Sequence, residues 1–179
     1  MRKAKTLSIV LLAAATFGWS LPTVDGRISD GKYSRSISVV DGSATLYYQA
    51  DGEGGLYLAV SAATTGWVGL GLGSAVMNGA RIYMGYVKDG LPFFSEQIGE
   101  GHDHRPSPTK SYDSFAVRQE GGNTTIEFHV PAAKLPVVGK SISFIVAFSG
   151  SSDLTTYHED NHDGGVIDLS AAGSDGESQ

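Results

Sequence analysis

The chain contains no cysteine among its 179 residues. That absence excludes disulfide staples, thiolate metal centres, iron–sulfur ligation, covalent cofactor attachment through Cys-x-x-Cys-His, and cysteine nucleophiles. Charge is sparse too: charged residues make up 18%, and 13 Lys and Arg against 19 Asp and Glu leave a net charge of −6. With no basic cluster to neutralise a row of phosphates, nucleic acid is excluded as a partner. Beyond the N-terminal segment no apolar run is long enough to span a bilayer, and no stretch has the Ala, Leu, Glu and Lys richness of a long helix. There is no Gly-x-Ser-x-Gly elbow. The adjacent carboxylates Glu159 and Asp160 would point to opposite faces of an extended chain. The sequence therefore reads as a protein that is not an enzyme.

What is present is apolar residues in short runs and 24 glycines, in a chain 41% hydrophobic. Such a chain can bury one good core but is too short for two ordinary domains. Residues 1–20 read as a signal peptide: Arg2, Lys3 and Lys5 precede the apolar stretch Leu7 to Ala15, and small residues offer cleavage after Ala15 or Ser20. Export to the periplasm or the extracellular space is the expectation. The single domain is expected over residues 27–170, and the small, polar residues 171–179 read as a disordered tail.

Strands are expected at 36–40, 44–50, 55–62, 67–73, 80–87, 91–98, 114–120, 124–130, 141–148 and 165–169, mostly bounded by Gly, Asp, Asn or Ser. Lys88-Asp89-Gly90 and Glu120-Gly121-Gly122-Asn123 are hairpin signals, because glycine supplies the positive φ of such turns. About ten short strands fit an all-β, immunoglobulin-like sandwich of two antiparallel sheets.

The densest signal is Gly66-Trp67-Val68-Gly69-Leu70-Gly71-Leu72-Gly73, followed by a loop with Met77. Its alternating glycines do not form a phosphate loop, which needs a turn and then a helix. They strip one strand face of side chains, so that another backbone, a large aromatic or a flat ligand can approach. Met77 by itself reads as a filler of a core gap, the usual use of methionine. Two polar clusters complete the inventory. His102 and His104, in Gly101-His102-Asp103-His104-Arg105, are either solvated or ligands for a transition metal. The stretch from Asp153 to Gly165 contains His158 and His162; it is a solvated connection, a ligand carrier, or a poor calcium loop with Ser170 where a bidentate Glu belongs.

From about Ala44 to Leu169 the sequence resembles the DOMON domain family, the haem- or sugar-binding β-sandwiches that include the cytochrome domain of cellobiose dehydrogenase. The matching pieces come in family order: Gly66 to Leu72, Met77 to Gly90, Gly101-His102 with Pro106 and Pro108, Thr125 to Phe128, and Tyr157-His158 ahead of Gly164 and Val166 to Leu169. The resemblance implies a non-covalent haem b whose iron is held by Met77 and His158. Met84, inside a strand pattern, and His162, out of step with Gly164, are the weaker thioether and imidazole. One departure is Asp163, which stands where the family more often has a basic residue before the glycine.

With both axial positions filled by protein, the implied activity is electron transfer to a redox partner protein or a membrane electron-transfer component. The apolar walls are expected from Trp67, Leu70, Leu72, Tyr86, Phe144, Val146 and Phe148, and Arg81 or Arg105 is expected to pair with the haem carboxylates. The cavity is expected at one end of the sandwich. The alternative is a carbohydrate-binding or other ligand-binding module without haem, with Tyr47, Tyr48, Tyr57 or Trp67 stacking on sugar rings.

Overall fold

A computed structural model describes residues 20–170. The signal-peptide stretch up to residue 19 and the tail from residue 171 lie outside the described residues. The described residues form eleven strands: β1 Arg35–Val39, β2 Ala44–Ala50, β3 Leu56–Ala62, β4 Val68–Leu72, β5 Arg81–Lys88, β6 Leu91–Glu100, β7 Asp103–Pro106, β8 Ser114–Glu120, β9 Asn123–Val130, β10 Ser141–Phe148 and β11 His162–Asp168. They pair antiparallel in two sheets, ordered β1-β2-β3-β9-β8 and β11-β10-β4-β5-β6-β7, packed as a β-sandwich. No helix among the described residues is long and apolar enough to cross a membrane.

Ten of these strands match the sequence pattern, and β7 is the addition. Its Asp-His-Arg-Pro sequence has no β-branched or aromatic residue; main-chain pairing of Glu100 with Asp103 and Gly99 with His104 along β6 extends the sheet by an edge strand. The Asp89-Gly90 hairpin has φ of 53° and 75°, the two consecutive positive angles of a type I′ turn.

Alternation decides which side chains meet between the sheets. Leu46, Leu58, Ile126 and Phe128 of the five-stranded sheet pack against Leu70, Leu72, Tyr83, Ile142, Phe144, Val146 and Ile167 of the six-stranded one. The residues in between point to the two outer faces. On the outer face of the five-stranded sheet, the segment before β1 is clamped by fully buried Glu127, which accepts hydrogen bonds from the Asp25 N–H (2.8 Å), the Gly26 N–H (2.7 Å) and the Tyr33 hydroxyl (2.7 Å) and pairs with Lys32 (2.8 Å). The packed region thus begins ahead of residue 27. Asp163 ties the sheets at one edge: its Oδ2 accepts the N–H of Val40 at 3.1 Å, holding a β-branched residue at φ 51°.

Candidate functional site

The outer face of the six-stranded sheet carries a second apolar cluster of Trp67, Ala80, Ile82 and Met84, with Met77, Tyr86, Ile145, Ala147 and Leu154 against it. It exists because β4 places Val68, Leu70 and Leu72 inward and leaves Gly69 and Gly71 as its only outward residues. A cavity of about 120 Å³ opens over those two glycines. A β-carbon on Gly71 would come within 2.6 Å of Ile145, whereas one on Gly69 would make ordinary contacts at 3.4 Å with Met84 and 3.6 Å with Trp67.

Met77 and His158 both line this cavity, and they reach it from opposite ends of the sheet. The β4–β5 loop leaves where Leu72 pairs with Phe144, and the β10–β11 loop leaves where Phe148 pairs with Val68. Both fold back over the outer face, so the site lies on a sheet face and not at one end of the sandwich.

The Met77 loop is held down on β6 and the turn after it. The Gly79 N–H donates to the Gly99 carbonyl (2.9 Å), the Gly99 N–H donates to the Ala80 carbonyl (2.9 Å), and Asn78 Oδ1 accepts the Gly101 N–H (2.9 Å). Gly99 is required here, because a β-carbon would overlap the Met77 carbonyl. The opposite wall runs from Leu154 to His158. Within it Asp153 accepts the N–H groups of Thr155 (2.9 Å) and Thr156 (3.1 Å), and the His158 carbonyl accepts the N–H of Asn161 (3.0 Å), whose own carbonyl accepts the Phe148 N–H (3.1 Å).

His158 is half-buried, and its Nδ1 lies 2.9 Å from the Glu159 carbonyl. A carbonyl can only accept, so the proton sits on Nδ1 and the Nε2 lone pair is left free. Burial pushes the pKa of His158 below the usual histidine value, the Glu159 carbonyl opposes this, and the nearby His162 adds to it. His162 lies against His158 with its ring tilted by 53° and the centroids 4.6 Å apart, and it does not line the cavity.

Met84 lines the cavity from β5, so two thioethers face it. His102 from the β6–β7 turn and Asp103 and His104 from β7 line it too, which brings the two polar clusters of the sequence to one site. Among the described residues no group of three or more His, Asp or Glu side chains is arranged to hold a metal ion. Trp67 lines the cavity and is 3% exposed, and its indole N–H has no hydrogen-bond partner.

Other expected residues fall elsewhere. Leu70, Leu72, Phe144, Val146 and Phe148 belong to the core between the sheets, because strand alternation sends them to the face opposite Trp67. Tyr86 packs beside the cavity cluster and lines a neighbouring groove with Lys88 and Leu154. Arg81 is turned to Glu96, with an N–O distance of 2.8 Å, and Arg105 is paired with Glu100. Of the four aromatics considered for stacking, only Trp67 lines the cavity; Tyr48 is in the core, Tyr57 lies on His129, and Tyr47 lies by Tyr33.

The class that the fold defines is an antiparallel two-sheet β-sandwich with an apolar cavity on one outer face. The DOMON domain model matches residues 40–134, more than half of the chain, and the chain belongs to the DOMON family. Among solved structures it is similar to the cytochrome b domain of pyranose dehydrogenase from Coprinopsis cinerea, at 18% identity and TM-score 0.58 over 76% of this chain and 82% of that one. It is also similar to the cytochrome domain of cellobiose dehydrogenase from Myriococcum thermophilum, at 10% identity and TM-score 0.57 over 75% of this chain and 81% of that one. A looser likeness, at 12% identity and TM-score 0.45 over 84% of this chain and 80% of that one, is to a family 9 carbohydrate-binding module from Caldicellulosiruptor kristjanssonii in complex with cellotriose. At these identities the likeness is one of fold. No curated protein matches the sequence.

Proposed function

We propose that this protein is an exported, non-catalytic electron carrier that binds haem b without a covalent bond, with Met77 and His158 as the axial ligands. The observation that carries the reading is that these two side chains, far apart in sequence, line one cavity over a strand face stripped to Gly69 and Gly71.

The donor set fits the group. A soft thioether and a neutral imidazole are a ligand pair of b-type and c-type cytochromes, and the Glu159 carbonyl fixes His158 in the tautomer that leaves Nε2 free to bind a metal. Ile82, Ile145, Ala147 and Trp67 supply apolar surface for a flat macrocycle. At about 120 Å³ the cavity is tighter than the roughly 300–1,000 Å³ of ordinary cofactor sites, so binding requires the 153–158 wall to move outward. Asp153 braces the tip of that wall through Thr155 and Thr156, and the wall joins the sheet only through its two ends, at Ser151 and Asn161. When bound, the haem would supply one-electron chemistry with both axial positions taken, and the thioether would favour the ferrous form.

The basic-then-apolar N-terminal stretch supports export, and the two cytochrome-domain neighbours, both parts of dehydrogenases, support a redox protein as partner. The test is the visible spectrum of the full chain reconstituted with haemin. A low-spin b-type spectrum is expected, lost in both Met77→Ala and His158→Ala. An unchanged spectrum in both variants would overturn the ligand assignment, and a colourless protein that binds glycans would make this a carbohydrate-binding module.

A further inference from the structure

A bound haem b carries two carboxylates that must find partners or stay in water, since burying an unpaired carboxylate is strongly unfavourable. Among the described residues, no lysine or arginine side chain lines the cavity. The two nearest guanidinium groups in sequence to the cavity walls are already engaged, Arg81 with Glu96 at 2.8 Å and Arg105 with Glu100. The side chains along the cavity that can carry positive charge are three imidazoles, His102, His104 and His158. His158 is committed at Nδ1 to its own loop.

His102 and His104 differ from it. His102 projects from the short β6–β7 turn and is exposed, and His104 projects from β7 and is half-buried, which places them at the mouth of the cavity, where carboxylates keep part of their hydration. The one polar side-chain contact shown for either ring is His104 Nδ1 at 3.5 Å from Gln97 Oε1, at the limit of a hydrogen bond and easily exchanged for a stronger acceptor. Asp103 shares this rim and opposes an anion, and its Oδ1 accepts the His104 backbone N–H at 2.7 Å.

We infer that His102 and His104 are the recognition edge for the carboxylates of the bound tetrapyrrole, so that the site selects a dicarboxylate macrocycle over its neutral ester. This inference rests on the haem reading and adds to it a specificity carried by residues that touch neither axial position. Charge-assisted hydrogen bonds of this kind are worth about tenfold or more in affinity.

The experiment titrates the full chain with haemin and with haemin dimethyl ester, following the Soret band. Wild type is expected to prefer the acid by about tenfold or more. The His102→Ala/His104→Ala variant should bind both forms alike while keeping the low-spin spectrum, and Asp103→Asn should widen the preference. Met77→Ala separates the two readings, since it should alter the spectrum while leaving the preference intact. Equal binding of acid and ester by wild type would overturn the inference. So would a preference that survives in the double variant, or one that disappears in Lys88→Gln, since Lys88 lies in the neighbouring groove. A protein that takes up neither form overturns the haem reading, and this inference with it.

Discussion

The Met77 carbonyl occupies the space that a β-carbon on Gly99 would need. This single approach seats the β4–β5 loop on β6 and sets the position from which the Met77 side chain enters the cavity. Gly99→Ala forces the loop away and is expected to lower stability by about 1–3 kcal/mol, the usual penalty for overpacking. The urea midpoint measures this. In haem-loaded protein the same change should shift the spectrum toward high spin as the thioether withdraws, and a variant with unaltered melt and spectrum would show the loop to be free of Gly99.

Gly69 separates fold from ligand. Its missing β-carbon has room, with the nearest atoms at 3.4 Å and beyond, so Gly69→Ala is expected to stabilise the unliganded protein by about 0.5–1 kcal/mol through lower backbone entropy in the unfolded chain. The added methyl group stands on the cavity floor, so affinity for haemin should fall. Thermal melting and haemin titration of the same sample check both halves, and a rise in affinity would contradict the position of the floor.

The alternation of β4, with glycine at 69 and 71 and leucine at 70 and 72, is readable in the sequence as two unequal faces, and the resemblance supplies Met77 and His158. Which face carries the cavity is not readable, because size and hydrophobicity make Leu70, Leu72 and Phe144 look like pocket walls when pairing with the second sheet claims them first. The partner of Arg81 is not readable either: in place of a haem carboxylate it meets Glu96, a carboxylate 7% exposed that also accepts the Ser111 N–H at 2.8 Å. The arrival of His102 and His104 at the site depends on β7, a polar edge strand held by main-chain bonds that leave no trace in side-chain pattern.

Glu127 is fully buried and holds the N-terminal segment through four partners. Glu127→Ala leaves Lys32, whose side chain is 10% exposed, with only the half-exposed Asp25 (2.7 Å) as counter-charge, strips the Tyr33 hydroxyl and the Asp25 and Gly26 N–H groups of their acceptor, and is expected to destabilise by about 3–5 kcal/mol. Glu127→Gln retains acceptors and should cost less. Chemical denaturation ranks the two, and equal losses would mean that shape and not charge holds the clamp.

Acid should loosen the outer face of the five-stranded sheet. His129 bridges Asp51 at Nε2 and Asp113 at Nδ1, each at 2.9 Å. Burial pushes the Asp51 carboxyl up, but the Glu53 N–H, His129 and the Gly55 N–H outweigh it and leave it below the ordinary value. Asp113 is likewise lowered, with burial opposed by His129 and the Ser114 hydroxyl. A carboxyl depressed in the folded state contributes stability above its unfolded pKa and loses it as pH falls through the folded one. The contribution of these two carboxylates is therefore expected to be flat above about pH 5 and to decline below about pH 4. In His129→Leu that decline should be shallower, as read by melting temperature against pH.

The floor of the cavity and the inner core are opposite sides of the same strands, with Gly69 and Gly71 turned one way and Leu70 and Leu72 the other. Assembly of the sandwich therefore does not wait for an occupant. The polypeptide can reach its native topology empty and acquire its guest afterwards, and stripping the guest should leave a cooperative, refillable scaffold instead of a collapsed chain.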